Sequence, residues 1–288
     1  MKTTQIAVYN HTDIPFLSRA KVEQLWALVS REEGKRAIGR LEITAVDEED
    51  IRRLNDRYFG EQDLTDVIAF PYGVEGSGGM WGEVVICLPQ VLRQAGENRE
   101  DEKKEILTVL THGFLHLLGY TDQDSRLCRQ METRQNEILK TFLTEEMRRK
   151  LITRALRAGK KAYAPYSNFC VGAAIETDKK VVSGCNVENA SLGLTVCAER
   201  VAVLKAVSEN IRSLRRIAVA GSSQSLCIPC GACRQVLFEF APAIEIIAAN
   251  NHGRYQVYSL EDLLPHPFVA SKEQRRHSTP PYPGSSGE

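Results

Sequence analysis

Apolar residues recur in two rhythms along this chain, and the rhythms alternate. Gln5–Tyr9 reads as a strand, and Arg40–Ala45 alternates apolar and polar positions, the period of a strand. Val22, Leu25, Trp26 and Val29 fall three and four residues apart, which predicts a helix over Ser18–Val29. Asp47–Asp56 reads as a helix with acids in its first turn. Val67–Phe70 and Glu83–Cys87 are short β-branched runs. Lys104–Leu118 is a long apolar helix ending at Gly119, and Ser125–Thr141 is a further helix. A new helix is expected at Arg149–Tyr163, then strands Val171–Glu176 and Lys180–Cys185 around the turn Thr177-Asp178-Lys179. Helices Ala198–Val207 and Gly231–Phe240 follow, interleaved with strands Arg216–Ala220 and Ile244–Ala248. Strands alternating with helices predict an α/β protein.

The chain has 288 residues, enough for two domains. Its 43% hydrophobic and 26% charged residues are those of an ordinary globular protein. Net charge is zero but unevenly spread. Residues 1–146 carry 18 basic and 26 acidic residues, and residues 147–288 carry 19 and 11. This shift predicts domains at 1–146 and 147–270. The polar, Pro/Ser/Gly-rich residues 271–288 are expected to be a disordered tail. No apolar run reaches membrane-spanning length. Met1-Lys2-Thr3-Thr4 opens no signal-peptide core, so the expectation is a cytoplasmic protein without membrane contact. Eight cysteines in such a chain favour metal ligation over disulfides.

Cys197-Ala198-Glu199 and Pro229-Cys230-Gly231-Ala232-Cys233 carry the most specific chemistry. Three thiolates leave a tetrahedral zinc one open position, the mark of a reactive rather than a structural site. Glu199, two residues from a ligand, can handle a proton of metal-held water. This is the Cys₃ form of the zinc-deaminase signature, with a non-ligand Glu as acid and base. Cys197 and Cys230 each open a helix, where dipole and free N–H groups stabilise a thiolate. Arg200 can offset the excess charge of three sulfurs. The structural alternative is a zinc knuckle closed by Cys227, since Cys227-Ile228-Pro229-Cys230 is itself a CxxC.

Around these lie Tyr163-Ala164-Pro165-Tyr166-Ser167-Asn168-Phe169-Cys170-Val171-Gly172-Ala173-Ala174 and Gly184-Cys185-Asn186-Val187-Glu188-Asn189-Ala190. Together with the Cys-Ala-Glu-Arg and Pro-Cys-Gly-Ala-Cys-Arg-Gln runs, they resemble the small, homotetrameric cytidine deaminases from about Arg149 to Phe268. The resemblance implies an α/β/α sandwich around a mixed sheet. It implies Asn186 and Glu188 on the ribose hydroxyl, Phe169 lining the nucleoside pocket, and the backbone at Ala198 reading the pyrimidine edge. It places Phe268 on the base from a neighbouring subunit. Leu192 stands where several members carry Tyr, and the chain after Phe268 lacks the usual acidic ending.

In the first half, His112-Gly113-Phe114-Leu115-His116 puts two imidazoles on one helix face, four residues apart. Asp122 follows six residues later. A zincin peptidase would carry its general base directly after the first His, where Gly113 stands. Leu54-Asn55-Asp56-Arg57-Tyr58, Leu64-Thr65-Asp66-Val67-Ile68-Ala69-Phe70-Pro71, Gly82-Glu83-Val84-Val85-Ile86 and the His helix through Gly119-Tyr120 resemble the YbeY-type rRNA maturation endoribonucleases. The resemblance implies an α+β, metal-dependent hydrolase-like domain. It implies a ligand set of His112, His116 and, in the place of a third His, Asp122, with Asp124 as a reserve carboxylate. Phe59 stands where the family usually has Arg, and Arg52, Arg53 and Arg57 are nearby cations.

The chain therefore reads as a fusion. Its expected activities are zinc-dependent deamination of cytidine and deoxycytidine, and metal-dependent cleavage of single-stranded RNA in rRNA maturation. A second divalent metal, again zinc, is expected in the first half, and a tetramer built on the second. The alternatives are a deaminase for a bulkier cytosine nucleoside, or one joined to a catalytically degenerate metal-binding interaction domain.

Overall fold

The computed structural model describes residues 4–35, 39–72 and 80–269, apart from the side chains of Met80 and Trp81. The tail expected at 271–288 lies outside the described residues. The chain divides into two compact units, Met1–Glu145 and Glu146–Glu288.

The first unit holds a four-stranded mixed sheet of β1 (Gln5–Asn10), β2 (Arg40–Val46), β3 (Val67–Pro71) and β4 (Met80–Cys87), in the order β1-β2-β4-β3. β1, β2 and β4 run parallel, and β3 pairs antiparallel to β4. Alternation decides what each face buries. Leu41, Ile43, Val84 and Ile86 point to one side, against Val22, Leu25 and Trp26 of helix α1 (Arg19–Glu32) and Leu107, Leu110 and Phe114 of helix α4 (Glu102–Leu117). Val46, Val85 and Cys87 point to the other, against Ile51 of helix α2 (Glu48–Phe59). The side chain of Asp47 caps α2 and that of Asp101 caps α4, each accepting a backbone N–H three residues on.

The second unit is a five-stranded mixed sheet between helices. Its strands are β5 (Val171–Thr177), β6 (Val181–Cys185), β7 (Leu214–Gly221), β8 (Glu245–Ala249) and β9 (Tyr255–Ser259), in the order β6-β5-β7-β8-β9. Only β7 and β8 pair in parallel. One face carries Ala174, Ala218, Ala220 and Ile247 against Leu151, Ile152 and Ala155. The other carries Ala173, Ile175, Ile217, Val219 and Ile246 against Ala202 and Val203 of one helix and Leu237 of the next. The result is the α/β/α sandwich expected from the resemblance.

Several elements differ from the sequence reading, among them the short turns Leu192–Leu194 and Leu260–Leu263, which it does not contain. The helices expected at Ser125–Thr141 and Arg149–Tyr163 are one helix, α5 (Ser125–Gly159). No Gly or Pro stands between them, and a change in the sign of charge does not break a helix. A helix α3 (Leu88–Asn98) was not expected. It opens with Pro89 at its start and buries Leu88, Val91 and Ala95. Strand β9, half exposed at a sheet edge, was also unforeseen.

Two glycines allow close packing in the second unit. A methyl at Gly172 would lie 1.9 Å from the Ala155 carbonyl oxygen, so α5 rests directly on β5. One at Gly184 would lie 2.6 Å from both the Ala198 carbonyl oxygen and the Ala202 nitrogen. That brings the first turn of α6 (Ala198–Ser208) down onto edge strand β6.

Candidate functional site

The second unit brings Cys197, Cys230 and Cys233 together, with their sulfurs all within 4.8 Å of one another. Two helix starts do this. Cys197 is the N-cap of α6 and Cys230 the N-cap of α7 (Gly231–Phe240), both extended and neither using its side chain to cap. The sulfurs are thus free for another partner beside two sets of helix N–H groups. Cys233 lies one turn into α7 and is fully buried.

The Cys197 thiol is pulled down to about 5, first by its hydrogen bond with Cys233 and then by Arg200. Cys233 is pushed up by the same pairing. Arg200 Nη2 donates to Cys197 Sγ at 3.4 Å and to the Thr195 carbonyl at 2.9 Å. Its Nε is buried without a hydrogen-bond partner. A soft, anionic, three-sulfur set backed by a cation suits zinc.

Cys227 stands outside this group. Burial pushes its thiol up to about 12, with the Glu199 and Cys197 charges adding to the effect. Glu199 follows Cys197 on the first turn of α6 and is only 4% exposed. Burial raises its carboxyl; its own backbone N–H counteracts this, and the Cys197 charge adds to it.

Asn186 and Glu188 leave the end of β6 side by side. Asn186 Oδ1 accepts from Val171 N at 2.8 Å, and its Nδ2 donates to the Phe169 carbonyl at 2.9 Å. Glu188 accepts from the N–H groups of Tyr166 and Ser167 at 2.9 and 3.2 Å, and from the Ser167 hydroxyl. These bonds hold its carboxyl below the usual range, the hydroxyl contributing most. The pair therefore ties down the loop that carries Phe169. That ring stands against Gly221, where a methyl would lie 2.8 Å from its Cζ. Ala198 is buried in the first turn of α6.

Phe268 is 71% exposed. Its backbone is held at both ends by Gln235 of α7: Phe268 N donates to Gln235 Oε1, and Gln235 Nε2 donates to the Phe268 carbonyl, each at 2.9 Å. Arg234 beside it donates to the carbonyls of Pro229 and Leu263. The C-terminal segment is thus pinned to the helix that bears two of the sulfurs. The sequence contains Arg234 and Gln235 inside a motif but does not reveal these bonds. Leu192 is 72% exposed.

The first unit groups His112, His116 and Asp122. The two Nε2 atoms are 3.1 Å apart, and each is 4.0 Å from Asp122 Oδ2. Both Nδ1 atoms meet acceptors at 3.0 Å: Gln135 Oε1 for His112 and the Tyr120 carbonyl for His116. Those partners assign the ring proton to Nδ1, so two bare Nε2 lone pairs face one another beside a carboxylate. Such a trio fits a dication, and the Nδ1 partners are the outer bonds that orient ligating imidazoles. Burial lowers the His116 pKa, and the His112 charge lowers it further, against the opposing pull of the Tyr120 carbonyl and Asp122. No sequence signal pointed to Gln135, which lies on the next helix.

Asp124 is not part of the trio. Its Oδ1 accepts from the N–H groups of Arg126 and Leu127 and caps α5. Arg53 pairs with Glu49 and Asp50, Arg52 donates to the Gln62 carbonyl, and Arg57 lies over the Tyr58 ring. Phe59 stacks on Phe70 with ring centroids 6.2 Å apart. Gly113 faces the sheet: a methyl there would lie 2.9 Å from Val84 Cγ1 and 3.1 Å from Val67 Cγ2. Among the described residues, no helix is long and apolar enough to cross a membrane.

Each of the two mixed α/β units gathers residues that could hold a metal ion, an arrangement of the metal-dependent hydrolase class. Residues 6–143 match the family model described as endoribonuclease YbeY, and residues 145–249 match that of the cytidine and deoxycytidylate deaminase zinc-binding region. A cytidine deaminase of Halalkalibacterium halodurans is 46% identical over 125 residues, covering 43% of this chain and 95% of that protein. A cytidine deaminase of Mycobacterium tuberculosis is 44% identical, covering 40% and 84%. An endoribonuclease YbeY of Bacillus licheniformis is 31% identical, covering 43% of this chain and 84% of that protein. The chain belongs to the YbeY endoribonuclease family in its first half and to the cytidine deaminase family in its second.

Proposed function

We propose that the second unit hydrolyses cytidine and deoxycytidine to uridine and deoxyuridine, in the salvage of pyrimidines. The observation that carries this reading is the arrangement of three clustered sulfurs, with Cys227 outside the cluster and Glu199 buried beside it. Cys197, Cys230 and Cys233 would hold zinc, which when bound lowers the pKa of a water toward ~7 and keeps one position open. Glu199 takes a proton from the attacking water and returns it to the ring nitrogen. It then passes a second proton to the departing amine, so ammonia leaves and a carbonyl remains. Burial raises the pKa of this carboxyl, which makes it a stronger base for that transfer. Arg200 offsets the surplus negative charge of the sulfurs. Asn186 and Glu188 bind the ribose hydroxyl, Phe169 walls the pocket, and the Ala198 backbone reads the pyrimidine edge. Phe268 stacks on the base in a neighbouring subunit of a homotetramer, and its exposure on a pinned segment supports that role.

The first unit, in the same reading, cleaves single-stranded RNA during rRNA maturation. His112, His116 and Asp122 would hold a divalent metal, zinc, which would supply Lewis-acid polarisation of a phosphoryl oxygen. Both reactions belong in the cytoplasm, where their substrates are.

Glu199→Gln with cytidine as substrate is the decisive experiment. Uridine formation is expected to fall by about 10³-fold or more, from loss of the group that moves the proton, with zinc content unchanged. Retained turnover would remove Glu199 from the mechanism, and no uridine from zinc-loaded wild type would remove the reading itself. For the first unit, equal RNA cleavage by wild type and His112→Ala would refute the nuclease.

A further inference from the structure

A cavity of about 450 Å³ opens in the deaminase-type unit between the end of α5, edge strand β6 and α6. Four cationic residues line it: Arg154, Arg157 and Lys161 from α5 and the turn after it, and Lys205 from α6. Ser183 and Gly184 of β6 form its floor, and the lining contains no acidic residue.

These cations are not spent on ion pairs. Arg148 and Arg216 take up Glu245 and Glu176, and Lys180 takes up Glu209. Arg154, Arg157 and Lys161 make no ion pair among the described residues. Lys205 donates only to the Ser183 carbonyl, at 2.6 Å, which draws its charge to the cavity floor. Arg154 and Arg157 are three residues apart, and Lys161 continues their line just past the helix. Like charges at this spacing destabilise a helix. The helix dipole favours Arg157 and Lys205, each in the last turn of its helix. It does not account for four cations from two separate helices converging on one acid-free cavity.

We infer that this cavity binds a compact polyphosphate anion of the nucleoside triphosphate class. Four convergent cations match the charge of such a group. The guanidinium forks of Arg154 and Arg157 suit phosphate oxygens, and the ammonium groups and the Ser183 hydroxyl complete the donor set. The volume lies in the range of small-molecule sites. The four cations gather around one cavity rather than running along an extended groove, which favours a compact ligand over a continuous nucleic-acid strand.

Calorimetric titration of the full-length, metal-loaded protein with tripolyphosphate and with ATP, at low ionic strength, tests this. Metal content is measured afterwards to exclude chelation. Both ligands are expected to saturate at one per chain and to weaken with salt. The Arg154→Glu/Arg157→Glu pair should weaken binding by about tenfold or more, and Lys205→Gln should weaken it less. Arg215→Glu, an exposed cation of β7 outside the lining, should bind as wild type does. Lys205→Gln also keeps the test open if the double reversal fails to fold. Absence of saturable binding, or equal binding by wild type and folded reversal variant, overturns the inference. Binding of a short single-stranded oligoribonucleotide that depends on Arg154 and Arg157, without binding of tripolyphosphate or ATP, would also overturn it.

Discussion

Substituting Gly184 by Ala should separate the position of the deaminase-type site from the presence of its residues. Gly184 lies on β6, and a methyl there would meet the Ala198 carbonyl oxygen and the Ala202 nitrogen at 2.6 Å. Both are backbone atoms of the helix that begins at Cys197, so no side chain can turn aside. Restoring ordinary contact near 3.4 Å requires a displacement of about 0.8 Å, taken up by α6 or by the edge strand. Overpacking of this kind costs about 1–3 kcal/mol of stability, and α6 carries Cys197, Glu199 and the Ala198 backbone. A misplacement of about 1 Å can cost about 100-fold in rate. The expected result is a folded, zinc-binding protein with kcat/KM for cytidine reduced by about 100-fold and a lower Tm. The assay is the absorbance change on conversion to uridine, with circular dichroism and metal analysis on the same sample. A folded variant with wild-type kcat/KM would refute the claim that this contact fixes the site.

Other outcomes follow from the same geometry. Cys227→Ala should retain a full complement of zinc, while Cys230→Ala should lose it; metal analysis of both variants checks which sulfurs ligate. Gln135→Leu removes the acceptor that orients His112 and should lower metal affinity in the first unit by about 10–100-fold, read by competition with a chelating indicator. Glu188 has a depressed folded-state pKa, so its stabilisation is present above the usual carboxylate range and is lost as pH falls through the folded value. Hydrogen exchange at Tyr166 and Ser167, corrected for intrinsic rate, should therefore quicken on acidification. Glu188→Gln should exchange fast across the whole range; protection equal to wild type at neutral pH would contradict this.

The sites were legible because each is written in short spacings. His112 and His116 share a face by helix geometry alone, and Cys230 and Cys233 are two positions at one helix start. Their meeting with Asp122 and Cys197 needed only a turn or a second helix N-terminus. What stayed hidden lies at long separation. Gln135 reaches His112 from another helix, and Gln235 clamps Phe268 across 33 residues. The continuity of α5 is hidden by a change in the sign of charge near residue 146, which marks a domain boundary and not a helix end. Backbone has no such preference when neither Gly nor Pro intervenes. β9 escaped because an edge strand with mixed exposure carries little alternation.

Gly113 has a consequence for descent. A side chain there would meet Val84 and Val67 at its first carbon, stiff β-branched residues that cannot readily swing clear. Any carboxylate introduced beside His112 would be driven into the sheet rather than toward the imidazoles. The helix shares its paired histidines with peptidases, yet no single replacement at this position could make it one. Divergence in that direction would demand rotating the whole helix about its axis, and the buried Phe114 and Leu110 bar the way.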